Sequence, residues 1–141
     1  MRAAKVIFYL TILTFVMGLV TACSSEADES KKAITSSELL SGKPQDLPIH
    51  GMVTMVDIGA HSCIPCKMMT PIIEKLSKEY EGRVAIAFID VWENNDEAPK
   101  YGVRTIPAQI FYDADGNEKY RHEGFLGERD IVSKFIELGV Q

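Results

Sequence analysis

Two thiols stand three positions apart in HSCIPCK, residues 61–67, with Pro65 between them and His61 just ahead. At that spacing Cys63 and Cys66 can exchange disulfides with another molecule, supply half of a metal site, or close a local staple. The staple is the poorest use, because disulfide stabilisation grows with the length of the loop closed. For a metal, His61, Cys63 and Cys66 offer three ligands of the kind zinc or copper accepts. With no second cysteine pair in the chain, His50 or His122 would have to supply the fourth. For exchange chemistry the position of Cys63 matters most. MVTMVDI, residues 52–58, is an apolar run of strand length broken by Thr54 and Asp57. After the cysteines, Met69, Ile72, Ile73, Leu76 and Tyr80 recur at helical spacing. Cys63 therefore falls where a strand gives way to a helix. The free N–H groups and partial positive charge of a helix N-terminus favour a thiolate, which makes Cys63 the natural nucleophile. Cys66, one turn on, is placed to resolve a mixed disulfide. Pro65 falls in the first turn, where a missing N–H costs little.

Asp57 interrupts an otherwise apolar strand. One reading is a buried acid whose pKa is raised, able to exchange protons near neutrality and to take the proton of Cys66. The other is a strand-end carboxylate that reaches water. TIP, residues 105–107, precedes another strand, so Pro107 sits at an edge or follows a cis peptide bond. Trp92, the only tryptophan, either borders a substrate surface or packs partly into the core.

The elements that must hold these residues follow in order. TSSELL predicts a short helix with Ser36 or Ser37 as N-cap, stopped by Gly42 and Pro44. KPQDLPIHG is a loop or an irregular first strand. The helix after the cysteines carries a Glu74–Lys78 pair on its outer face and ends at Gly82. VAIAFID, residues 84–90, reads as a buried parallel strand. A short helix is expected near 96–101. AQIFY and EKYRHE then flank the turn-rich DADGN as a hairpin, and Ile131, Phe135 and Leu138 mark a closing amphipathic helix. The order β–α–β followed by β–β–α implies an α/β fold, one mixed sheet with helices on both faces.

The chain has 141 residues, enough for one domain with a real core. Its 15 basic and 20 acidic residues give a net charge of −5, and no basic run exists to grip nucleic acid. Residues 1–22 have the layout of a signal peptide: Arg2 and Lys5, then an uncharged apolar run, then small residues. Val20, Thr21, Ala22 and Cys23 resemble the bacterial lipobox position by position. That resemblance implies cleavage before Cys23, lipidation of Cys23, and anchoring to a membrane outside the cytosol, where a remaining thiol pair can form a disulfide. Residues 23–34, with the polar stretch SSEADESKK, read as a flexible tether and residues 35–141 as the folded domain.

MVDIGAHSCIPCKMMTPIIEKLSKEY and APKYGVRTIPAQIFYDADG together resemble the thioredoxin family, over roughly residues 50–138. The resemblance implies the thioredoxin fold. It also implies that Cys63 is the nucleophile, Cys66 the resolving thiol and Asp57 the buried proton-transfer acid. Pro71 matches the proline inside the active-site helix, and Pro107 the cis-proline. Ile64, Pro65, Ile106 and Pro107 match the substrate-binding positions, the backbone of Ile106 pairing with the substrate chain. No cofactor is implied beyond the redox-active Cys63–Cys66 disulfide. The implied partners of this monomer are disulfide-containing protein substrates and a transmembrane thiol electron donor. For an anchored, periplasmic-facing member the implied work is reduction, for example in cytochrome c maturation. Three positions depart from the family: Ser62 replaces a tryptophan, Ile-Pro replaces Gly-Pro between the cysteines, and Ile86 replaces the lysine that often accompanies the buried acid. An oxidase or isomerase is the alternative within the same chemistry, and a copper or zinc carrier using His61, Cys63 and Cys66 the alternative outside it. Potentials on this fold run from about −270 to about −120 mV, and Ile-Pro, with no histidine between the cysteines, leans toward reduction.

Overall fold

A computed structural model describes residues 35–141. The expected signal peptide, the lipobox with Cys23, and the tether lie outside the described residues.

The sheet is built around a fully buried strand. β1 (Val53–Gly59) is buried along its whole length, Thr54 and Asp57 included. β2 (Val84–Asp90) lies beside it in parallel, and all seven of its residues are buried as well. On the other side β1 pairs antiparallel with β3 (Ala108–Tyr112), which pairs antiparallel with β4 (Glu118–Glu123). The spatial order is therefore β2-β1-β3-β4. β4, at the edge, has no buried residue along its length. Gly42 makes a bridge to Ile89 that partly covers the other edge.

Helices occupy both faces because strand residues alternate between them. On one face Met55, Ile86 and Phe111 pack with Met69, Ile73 and Leu76 of α2 (Ile64–Glu79) and with Ile131 and Phe135 of α4 (Glu128–Glu137). On the other, Val56, Ile58, Ile89 and Ile110 pack with Val103, Ala98 and Tyr101 around α3 (Glu97–Lys100). This is the thioredoxin fold.

The elements depart from the sequence expectations in details with physical causes. The first helix, α1 (Ser36–Leu39), is capped by Thr35 rather than Ser36 or Ser37: its hydroxyl oxygen accepts the Glu38 N–H at 3.3 Å. Residues 43–51 form a loop, not a strand, with a cis Leu47–Pro48 bond. α2 ends at Glu79, with the Tyr80 N–H closing on Leu76 O at 2.9 Å, and Gly82 serves the following turn at φ 74°. Glu74 and Lys78 do not pair; the ion pair on α2 joins Lys75 to Glu128 of α4 at 2.6 Å.

Candidate active site

The end of β1 delivers the chain to the thiols. Ala60 C=O accepts the Cys63 N–H at 3.1 Å, and Cys63, with extended backbone (φ −79°, ψ 124°), is the N-cap of α2. Its C=O accepts the Lys67 N–H at 3.0 Å as the first helical hydrogen bond. Cys63 and Cys66 form a disulfide with Cα atoms 5.2 Å apart. Cys63 is the more open of the two, 8% exposed against 3% for Cys66. Pro65 and Ile64 stand out into solvent between them, Ile64 at 76% exposure.

The Ile106–Pro107 bond is cis, which settles the two positions open to Pro107. Ile106 packs on Ala60, Cys63 and Cys66. It precedes β3, and neither its N–H nor its C=O is taken up by the loop and turn hydrogen bonds around it. Pro107 O accepts the Gly124 N–H at 2.7 Å, which ties this segment to the loop after β4.

Asp57 is fully buried, so the reading of a strand-end carboxylate in water is overturned. Burial pushes its pKa up to about 7, against one opposing influence, a hydrogen bond from Gln109. Gln109 Nε2 donates to Asp57 Oδ1 at 2.9 Å. Asp57 shares its face of β1 with Gly59. A Cβ placed on Gly59 would lie 3.3 Å from Cys66 Sγ and 3.2 Å from the Phe88 ring. The acid is thus on the side of β1 that carries Cys66, and glycine at 59 is what lets Cys66 and Phe88 close over that strand end.

Asp90, at the end of β2 opposite Gly59, braces the approach to Cys63. Its Oδ2 accepts the His61 N–H at 2.7 Å, and Oδ1 accepts those of Trp92 and Glu93 at 2.9 and 3.1 Å. The His61 ring lies on Phe88, centroids 5.0 Å apart, with Nε2 3.9 Å from Asp90 Oδ2. His61 is therefore turned to Asp90 and Phe88, and no three His, Cys, Asp or Glu side chains among the described residues converge as metal ligands would. His50 stands near Pro48 and Gly116, at the hairpin turn, and His122 is on β4. Trp92 is 58% exposed, so it is not a core residue.

Sequence reasoning missed Gln109, Asp90 and Gly59. Each left a faint signal: Gln109 is the polar residue inside AQIFY, Asp90 ends an apolar strand as Asp57 interrupts one, and Gly59 stands where β1 meets the cysteine loop.

Known proteins agree with this geometry. The family model for thioredoxin matches residues 47–137. Thioredoxin of Pseudomonas aeruginosa is 34% identical over 86 residues, 61% of this chain and 78% of that one. Thioredoxin C-2 of Corynebacterium nephridii is 45% identical over 86 residues, with the same coverage of 61% and 78%. Among solved structures, Fasciola hepatica thioredoxin superposes with a TM-score of 0.56 at 33% identity, covering 62% of this chain and 82% of its own. A chloroplastic thioredoxin z gives 0.56 at 29% identity, covering 62% and 79%. A CxxC pair capping the helix after the central strand, together with a family match across nearly the whole described domain, places this chain in the thioredoxin family of thiol-disulfide oxidoreductases.

Proposed function

We propose that this protein is a membrane-tethered reductase of disulfides in extracytoplasmic proteins, cytochrome c precursors among them. The observation that carries the chemistry is Cys63 at the N-cap of a sixteen-residue helix, more exposed than Cys66 and bordered by Ile106. In the reduced protein the unpaired N–H groups of the first helical turn favour the Cys63 thiolate. It attacks one sulfur of a substrate disulfide. A Cys63–substrate disulfide forms, and the other substrate sulfur leaves as thiolate. The free backbone groups of Ile106 hold the substrate segment alongside, as an added strand. Cys66 then gives its proton to Asp57 and attacks Cys63 Sγ. The Cys63–Cys66 disulfide forms and the second substrate sulfur departs with the electron pair. Two electrons have passed to the substrate, and a dithiol carrier in the membrane must return them. The tether is supported by the Val20–Cys23 pattern at the end of an apolar run.

The test uses the full-length chain. Cys63→Ser abolishes insulin reduction, while Cys66→Ser accumulates a mixed disulfide through Cys63; the reverse pattern would overturn the assignment. Equilibration against glutathione gives a potential close to the reducing end of the fold's range, about −270 mV. A value near about −120 mV would make the protein an oxidase instead. Labelled fatty acid is incorporated in cells and lost in Cys23→Ala; unchanged labelling would remove the anchor.

A further inference from the structure

Asp57 and Gln109 are direct partners across β1 and β3, and antiparallel partners point to the same face. Both are fully buried. Each uses only half of its hydrogen-bonding capacity. Gln109 Nε2 donates to Asp57 Oδ1 at 2.9 Å, while Asp57 Oδ2 and Gln109 Oε1 are buried with no partner. Buried oxygens without a partner are uncommon and costly. Here they belong to the two members of one pair, and one member gains and loses a proton in the proposed cycle.

A primary amide has a donor at one end and an acceptor at the other. A lysine ammonium has no acceptor, so it cannot take the O–H of the protonated acid. Glutamine can serve both protonation states. Its NH2 donates to the carboxylate, and after a half-turn of the amide its Oε1 accepts the O–H of the carboxylic acid. We infer that Gln109 is the positioning residue for the proton step at Asp57, its amide donating to the carboxylate and turning over to accept from the acid. This rests on the reading of Asp57 as proton acceptor for Cys66. In the resolving step the Cys66 S–H bond breaks and an O–H bond forms on Asp57. The Cys66 sulfur closes on Cys63, and the electron pair of the broken mixed disulfide leaves on the substrate sulfur. Gln109 then supplies the acceptor that the new O–H otherwise lacks.

Other groups on this face are few. The β2 partner of Asp57 is Phe88, and Ile86 is the next residue on that side. α2 presents Cys66 and Met69, and α4 presents Ile131 and Phe135. On β4 the partner of Gln109 is His122, whose Nε2 is 3.3 Å from Phe125 O. Asp90, two residues beyond Phe88, is on the same face of β2, and the His61 ring lies on Phe88. Cys66, His122, Asp90 and His61 are thus the titratable groups to separate from Asp57.

The experiment follows the Gln109 side-chain amide and the Asp57 carboxyl by NMR in the full-length oxidised protein, with the rate of mixed-disulfide resolution measured in parallel. The Gln109 NH2 signals move with the same midpoint as the Asp57 carboxyl. The movement vanishes in Asp57→Asn and persists in His122→Gln. In Gln109→Leu, which removes the donor without adding bulk, the Asp57 midpoint rises by about one pH unit. Resolution at pH 7 then slows about fivefold and recovers as the pH is raised through the new midpoint. An amide that stays still through the Asp57 titration, one that stops moving in His122→Gln, or a Gln109→Leu profile equal to the parent's overturns the inference with Asp57 still the acceptor. Undiminished resolution in Asp57→Asn overturns the acceptor reading itself.

Discussion

Asp57 and Asp90 are both closed to water, 0% and 2% exposed, on adjacent parallel strands, but Asp57 lies in the middle of its strand and Asp90 at the end of its own. They come out with opposite acidities. Burial pushes the Asp90 pKa up, but N–H donation from His61, Glu93 and Trp92, helped by the His61 ring, holds it below the usual carboxylate range. Asp57 has one neutral donor, so burial dominates and its pKa rises to about 7. Depth in the fold sets the cost of a charge, and the donors aimed at it decide how much of that cost is met; Asp90 is favoured on both counts. Asp90 is accordingly a fixed anion that braces the loop before Cys63. Asp57 is an acid able to change state near neutral pH, beside the thiol that must lose a proton.

The largest consequence is a pH dependence of stability with opposite signs for the two acids. For Asp57 the folded pKa, about 7, lies above the ordinary value of 3.8. The native state then holds more protons than the unfolded chain across that window, so stability falls as pH rises from about 4 to about 7 and is flat above. Some three pH units correspond to a loss on the order of 4 kcal/mol. Denaturant melts of the oxidised protein should show this slope, and Asp57→Asn should remove it, leaving a variant more stable at pH 8 than the parent. A parent flat between pH 4 and pH 7 would erase the contrast between the two carboxylates. The same variant should resolve mixed disulfides about a hundredfold more slowly, the low end of what a positioned proton acceptor contributes. Stability gained at the expense of rate is what a functional buried acid implies.

Asp90 works the other way. With its folded pKa lowered from 3.8, its contribution is complete above that value and is lost as pH falls through the folded pKa. Asp90→Asn keeps one carbonyl oxygen, enough for Trp92 and Glu93 or for His61 but not for both sides. The side left facing an NH2 keeps a part-buried N–H without its acceptor, at a cost of about 1 kcal/mol. Melts at pH 7 should show that loss, and hydrogen exchange should report a loosened segment ahead of Cys63. An Asp90→Asn protein as stable as the parent would mean that the three N–H groups do not need the charge.

The contrast also marks what the sequence could and could not disclose. Residues 84–90 were legible to the residue, because an unbroken β-branched and apolar run has one use in an α/β protein. The hairpin 108–112 and 118–123 was equally plain, since DADGN separates two β-rich runs. The cysteine spacing and the apolar period behind it are enough to put Cys63 at a helix start. Gln109 was not legible as the partner of Asp57, because that pairing depends on the register of β3 against β1. A slip of one residue would turn Gln109 to the opposite face. The donors to Asp90 come from two loops that meet only in the folded chain, and backbone N–H groups leave no mark in a sequence. The cap of α1 fell among three successive hydroxyl residues, where only the backbone angles of Thr35 choose between them.

The smallest effect tests the comparison most finely. If backbone N–H groups hold Asp90 ionised, the His61 side chain contributes little, although its ring faces the carboxylate. The ring is 57% exposed and its Nε2 is 3.9 Å from Asp90 Oδ2, so water and salt screen most of the attraction. His61→Ala keeps the 2.7 Å bond from the His61 N–H, which belongs to the backbone. It should cost under about 0.5 kcal/mol at pH 7, in the range of exposed ion pairs, and the difference should shrink further in high salt. Contact with Phe88 is also lost, so a small salt-independent part should remain. A His61→Ala loss as large as that of Asp90→Asn would mean that a side-chain charge, and not the three N–H groups, separates Asp90 from Asp57.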